Sequence, residues 1–352
     1  MKKYKYECES NTKYMTKMLL RYKFCYAILL AAIISITGCE KPYIYPTQPF
    51  STQPLLEIDS ARMSDGFRLP LSRWSTTGEP LAIVLALHGL NDYREAFKTT
   101  GNYLTQQGIS VYAYDQRGFG ETEGAGYWHG STALISDLRT MIGLLREAYP
   151  GRQIYIMGES MGGAVTLAAQ SGINLDSDGL ILVAPAIWSR DSMPWYQRLL
   201  LWSAVRTLPS KRLTGKGLEI KPTDNIEMLR TWASDPLVIK GTRVDVLYGV
   251  TNLMDTAVNA SRKLQANALL LYGKHDEIIP RQPTCQLLTT LASQPAYKIK
   301  AVIYDNGHHM LTRDLQANLV LQDIADWILS QQKIQMADPG YYCTGFLNKI
   351  KS

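Results

Sequence analysis

The chain carries a series of short, almost continuously apolar runs. They are "LAIVLAL" (81–87), "ISVYAY" (109–114), "QIYIM" (153–157), "GLILVA" (179–184), "ALLLY" (268–272) and "IKAVIY" (299–304). Runs of this length without polar alternation suit strands covered on both faces, as in a parallel sheet. A looser alternation in "GFRLPLSRW" (66–74) predicts one earlier antiparallel strand. Helical spacing fills the intervals. Residues 94–108 end in glycine, and 131–149 place apolar side chains three and four apart and stop before Pro150. Residues 315–332 read the same way. Strand and helix in alternation predict βαβ units and an α/β fold, mostly parallel and doubly wound.

One interval breaks the alternation. About 80 residues without a clean buried strand separate the run at 179–184 from the run at 268–272. They include "WYQRLLLWSAVRTL" (195–208), helical by spacing and rich in aromatics. Residues 187–262 are therefore expected to form an inserted helical cap on a core made of 55–186 and 263–334. Trp188, Trp195, Tyr196 and Trp202 either line a tunnel or simply pack. The tail, 335–352, suggests no role.

Charge changes the picture at the N-terminus. The formal net charge is +6 over 352 residues, but residues 1–38 hold seven Lys and Arg against two Glu. The remainder is nearly neutral, which argues against a nucleic-acid partner. The basic segment leads into "FCYAILLAAIISITGC" (24–39), whose apolar centre is too short for a span and suits a secretory signal. Its ending resembles the bacterial lipobox. The expectation is a signal peptide over 1–38, acylation of Cys39 and a membrane anchor in the cell envelope. Glu40, in place of Asp, points to the outer membrane. Translation from Met15 or Met18 gives a more ordinary signal length. Residues 39–54, with four prolines, read as an extended tether. Cys8 and Cys25 fall within the signal, so the exported body keeps Cys285 and Cys343, which are able to pair in an oxidising compartment. No metal-ligand spacing is present, and no cofactor is called for.

The chemistry sits in four motifs. "GESMGG" (158–163) follows a strand and precedes a helix-capable run, the setting that a G-x-S-x-G nucleophile turn requires. Small neighbours let the chain bend sharply and lift the Ser160 hydroxyl clear. A serine needs a base and an orienting carboxylate. Asp276, in "GKHDEIIP" (273–280) beyond a predicted strand, is preferred to Asp245, Asp255 and Asp305. The base lies in "HHMLTRD" (308–314), where His308 and His309 compete. "LHGLND" (87–92) sets a glycine at another strand end, where the amides of Leu90 and Met161 serve as oxyanion donors.

Together with "YDQRGFGETEG" (114–124) and "VAPA" (183–186), these motifs resemble the α/β-hydrolases, specifically the monoacylglycerol lipase and lysophospholipase-like group with a helical cap. The resemblance covers about residues 60–332. It implies His309 as base, because Leu311 and Asp314 follow in register, and it implies a turn-stabilising role for Asp115. It further implies hydrolysis of a small ester or lipid substrate through an acyl-enzyme. An acyltransferase uses the same residues, and a non-catalytic ligand-binding lipoprotein is the alternative from another class.

Overall fold

The computed structural model describes residues 40–171, 175–294 and 299–329, with Met18, Tyr22, Lys23, Tyr342 and Cys343. Cys39 and the rest of the expected signal lie outside these residues. Among the described residues no helix is long and apolar enough to cross a membrane.

From residue 40 onward the first elements are three strands, β1 (Leu55–Leu56), β2 (Ser60–Arg62) and β3 (Arg68–Trp74). Next come β4 (Ala82–Leu87), α1 (Lys98–Gln106), β5 (Ile109–Tyr114) and α2 (Ser131–Ala148). They are followed by β6 (Gln153–Glu159), α3 (Met161–Ala169) and β7 (Gly179–Val183). The interval expected to be a cap contains α4 (Trp195–Thr207), β8 (Arg212–Leu213), α5 (Ile226–Ser234), β9 (Thr242–Arg243) and α6 (Val244–Ser261). The chain closes with β10 (Ala268–Gly273), α7 (Arg281–Ala292), β11 (Ile299–Tyr304) and α8 (Ala317–Ile328).

Nine strands form one sheet in the order β1-β2-β3-β5-β4-β6-β7-β10-β11. The run from β5 to β11 is parallel throughout, while β1, β2 and β3 pair antiparallel, β3 joining β5. The apolar runs are continuous because each strand feeds two cores. In β4, Ile83, Leu85 and Leu87 enter one core, while Ala82, Val84 and Ala86 enter the other. In β5, Tyr112 and Tyr114 face the first and Val111 and Ala113 the second. This is the period-two geometry of a strand with helices on both faces.

Two expected helices start later than their sequence pattern. Residues 94–97 form a 3₁₀ turn ahead of α1, and Leu311–Arg313 form another ahead of α8. Within the interval 187–262, α6 is largely buried and packs on α3, the helix that follows Ser160. By contrast, α4 buries Val205 alone. Trp195, Tyr196 and Trp202 are exposed and lie outside the core, with Trp195 meeting Tyr196 edge-on and Arg206 lying over Trp202, whereas Trp188 packs on the core. A disulfide joins Cys285 on α7 to Cys343, across a sequence separation of 58.

Candidate active site

Four strand ends form the site's frame: β4 and its neighbour β6, then β10 and its neighbour β11. Parallel sheets place their chemistry at such carboxyl ends.

At the end of β6, Ser160 adopts φ 51° and ψ −113°, a left-handed conformation costly for a residue with a side chain, by about 1–3 kcal/mol. Its surroundings hold it there. The Ser160 N–H donates to the Val183 carbonyl at 3.0 Å, and its own carbonyl accepts from Ala164 and Ala186 at 3.1 and 2.8 Å. The flanking glycines are required by space. A Cβ on Gly162 would stand 2.1 Å from the Leu87 carbonyl oxygen, and one on Gly158 would stand 2.6 Å from the Gly162 backbone. The turn is tight because nothing larger than hydrogen fits inside it.

The loops after β10 and β11 are drawn together in the same manner. A Cβ on Gly273 would meet Gly307 backbone at 2.4 Å. The amides of Lys274 and His275 donate to Tyr304 and Gly307, both at 2.9 Å. This pairing brings Asp276 and His309 face to face. His309 Nδ1 donates to Asp276 Oδ2 at 2.8 Å, and the Ser160 hydroxyl donates to His309 Nε2 at 2.9 Å. Because a carboxylate only accepts, this hydrogen bond puts the proton on Nδ1 and leaves Nε2 free to receive one. The other Asp276 oxygen accepts from the Ile278 and Ile279 amides at 2.8 and 2.9 Å, which fixes the carboxylate's orientation. Burial pulls the His309 pKa down, but the Asp276 carboxylate more than offsets this and holds it above the ordinary value.

The competing residues are engaged elsewhere. His308 lies beside His275, ring centroids 5.5 Å apart, and its amide donates to Asp314 at 2.7 Å. Asp245 pairs with Arg243, Asp255 with Arg190, and Asp305 with Lys274. Asp115 accepts from the amides of Arg94 and Glu121 and from the Arg94 guanidinium, and so stabilises its turn.

The loop after β4 lies on the serine, since a Cβ on Gly89 would reach Ser160 Cβ at 3.3 Å. This brings Gly89 against the serine side chain, while Met161 begins α3 directly after it. His88 anchors the loop. Its Nε2 accepts from the Gln116 amide at 2.9 Å, so Nδ1 donates to the Gly89 carbonyl at 2.8 Å. Burial lowers its pKa and favours the neutral ring that this pattern needs.

A second buried constellation escaped the motif reading. Arg313 donates to Asp92 at 2.7 Å and to Glu159 at 2.5 Å, and Thr312 donates to Glu159 at 3.1 Å. Burial opposes the guanidinium charge, and the two carboxylates more than compensate, so its pKa is raised. This clamp ties the 87–92 loop, the turn at Ser160 and the 308–314 loop to one another. All three of its charged members stand inside quoted motifs, "LHGLND", "GESMGG" and "HHMLTRD", but nothing in their spacing pairs them.

The chain is similar to known proteins. A family model described as "Serine aminopeptidase, S33" (Hydrolase_4) matches residues 78–316. Human monoglyceride lipase is 25% identical over 288 residues, covering 78% of this chain and 91% of that one. The monoacylglycerol lipase of Mycolicibacterium smegmatis is 23% identical over 271 residues, covering 75% and 94%. Among solved structures, a soluble variant of Saccharomyces cerevisiae monoglyceride lipase in complex with a substrate analog superimposes with a TM-score of 0.64. It is 21% identical and covers 82% of this chain and 98% of that one. A monoacylglycerol lipase from Paleococcus ferrophilus gives a TM-score of 0.62 at 22% identity, covering 74% and 98%.

Proposed function

The chain belongs to the Hydrolase_4 family, and from that membership we propose that it is a serine hydrolase of carboxylic esters acting on monoacylglycerols or related lysolipids. The relatives with which it shares most of its length are named as monoacylglycerol lipases, and a carboxylic ester hydrolase is the activity they support. The observation that carries the reading further is the hydrogen-bonded line from Ser160 through His309 to Asp276, at the rim of the sheet.

In the proposed mechanism, His309 Nε2 takes the hydroxyl proton as Ser160 Oγ bonds to the ester carbonyl carbon. The carbonyl oxygen becomes an oxyanion that the Leu90 and Met161 amides stabilise. One such donor is worth about 3–4 kcal/mol in a protease site. The acyl carbon–oxygen bond then breaks, and His309 gives its proton to the departing alcohol. Water repeats the sequence in reverse, yielding the fatty acid and the free serine. Asp276 keeps the imidazole in the productive tautomer throughout.

The setting we infer is the cell envelope, with Cys39 acylated. The lipobox-like ending and the disulfide between Cys285 and Cys343, a bond suited to an oxidising compartment, both favour it.

The reading is tested by glycerol release from a monoacylglycerol series, with p-nitrophenyl esters and an aminoacyl amide alongside. Ester turnover that depends on Ser160, with the amide untouched, is the expected result. Turnover of the amide alone contradicts it.

A further inference from the structure

The segment between β8 and α5 meets the histidine loop along a short seam. The Met310 amide donates to the Pro222 carbonyl at 2.9 Å, the Leu315 amide to Asp224 Oδ1 at 2.8 Å, and Asn225 Nδ2 to the Arg313 carbonyl at 3.1 Å. Residues 222–225 therefore run along 310–315. Three side chains able to ligate a metal converge in this seam. Asp224 comes from the segment, and His308 and Asp314 come from the loop that carries His309. Each offers one ligand atom, and these atoms all lie within 4.8 Å of one another.

The bonding of this group is incomplete. Asp314 is 4% exposed, and its Oδ2 accepts from the His308 amide at 2.7 Å, but its Oδ1 has no hydrogen-bond partner. The buried Thr223 hydroxyl faces Asp314 as well and still leaves Oδ1 without a hydrogen bond. His308 Nδ1 is also buried without a partner. It stands 3.9 Å from Asp314 Oδ2, too far for the two to bond to each other. Arg313 is spent on Asp92 and Glu159, which leaves the two carboxylates of the seam without its guanidinium. Buried polar atoms are nearly always bonded, so a carboxylate oxygen and an imidazole nitrogen left over in one seam call for a ligand.

We propose that Asp224, His308 and Asp314 bind a divalent transition-metal ion of the zinc class, and that the ion ties the inserted segment to the histidine loop. The donor set decides the class. An imidazole suits zinc and its neighbours rather than calcium or magnesium. Two carboxylates and one neutral imidazole also balance a dication. Zinc accepts three protein ligands and a water, with protein bonds of about 2.0–2.2 Å. Tetrahedral geometry then sets the ligand atoms about 3.4 Å apart, so the set has to close by at most about 1.4 Å, which side-chain rotation supplies. Residues 308 and 314 bracket the catalytic histidine. An ion held by both fixes its loop at two points and joins that loop to the inserted segment. The inference does not depend on the chemistry at Ser160.

The test uses the full-length chain, stripped of metal with a chelator and titrated with zinc by calorimetry. One ion per chain is expected. His308→Gln and Asp224→Asn should each weaken binding by at least about tenfold, since even the groups that orient a ligand are worth about 10–100-fold. His275→Gln should bind as the wild type does, because its ring lies beside His308 but outside the set. At free zinc about 100 times Kd, the thermal midpoint of the wild type should rise by about 4 °C, and that of Asp224→Asn should not move. Asp224→Asn keeps an acceptor for the Leu315 amide, so it decides the matter if His308→Gln does not fold. A wild type that binds no zinc, or a Kd that Asp224→Asn leaves unchanged, overturns the site. Loss of binding in His275→Gln overturns the ligand set, and displacement of zinc by calcium overturns the class of ion.

Discussion

At Gly158, Gly162 and Gly163 the chain has no room for a methyl group, while along α4 one residue of thirteen is buried. Both stretches are rich in small or apolar residues, but they answer to different constraints. At the nucleophile turn, backbone meets backbone, and the geometry is over-determined by hydrogen bonds and contact distances. Along α4, side chains face outward, and the helix is secured by Val205 and by its neighbours in sequence. Rigid placement of reacting atoms needs the first kind of construction, because small misplacements cost rate steeply.

Perturbations should therefore fall off sharply from the rim to α4. The largest effect belongs to Ser160→Ala. Turnover of a p-nitrophenyl ester should fall by at least about 10⁴-fold, roughly 5.5 kcal/mol of transition-state stabilisation, with an unchanged circular dichroism spectrum. Retained turnover breaks the account of the rim at once.

Asp276→Asn comes next, with an expected loss of about 10³–10⁴ in kcat. It also changes the pH profile. His309 must be neutral to act as base, and its pKa is raised chiefly by Asp276 acting against burial. Activity is therefore lost as pH falls through a value above the ordinary 6.5. Removing the carboxylate should move that acid limb to lower pH, as read from kcat/KM against pH.

How far these features can be read from sequence differs between the two regions as well. Strands β4 to β7 announce themselves because a strand buried on both faces needs an unbroken apolar run, and Ile83 to Leu87 is such a run. The glycine spacing around Ser160 is legible because the constraint is local. The order of Ser160, Asp276 and His309 points to a constellation that the fold brings within hydrogen-bond distance. The clamp of Arg313 on Asp92 and Glu159 is not legible. It joins residues 221 and 154 positions apart, and a lone arginine in a loop has no periodicity to betray a partner. Burial of α6 was also hidden, since its apolar spacing resembles that of any amphipathic helix, and its partner α3 is about 80 residues away. The proline count of 40–54 suggests an extended chain, but nothing local shows that Tyr45 will stack on His129.

The clamp supplies the third prediction. Arg313→Leu leaves two buried carboxylates without their cation, and such a loss typically costs about 3–5 kcal/mol. Urea denaturation should show it, and kcat should fall in the fraction that remains folded, because three site loops lose their common tie. Opening the disulfide with Cys285→Ser/Cys343→Ser should cost about 2–4 kcal/mol, given the length of the loop it closes. The smallest effect is expected on α4. Leu199→Gln/Leu200→Gln should shift the urea midpoint by no more than about 0.5 kcal/mol equivalent, since exposed side chains contribute little to folding. A large destabilisation there would mean that α4 is packed like the rim, and the contrast would collapse.

The central claim is that Ser160 is an activated nucleophile, poised by His309. A fluorophosphonate probe followed by peptide mass mapping tests it most directly. A single stoichiometric adduct on the peptide containing Ser160, absent in His309→Ala, is the expected result. A folded wild-type protein that takes up no probe, or takes it up at another residue, contradicts the claim.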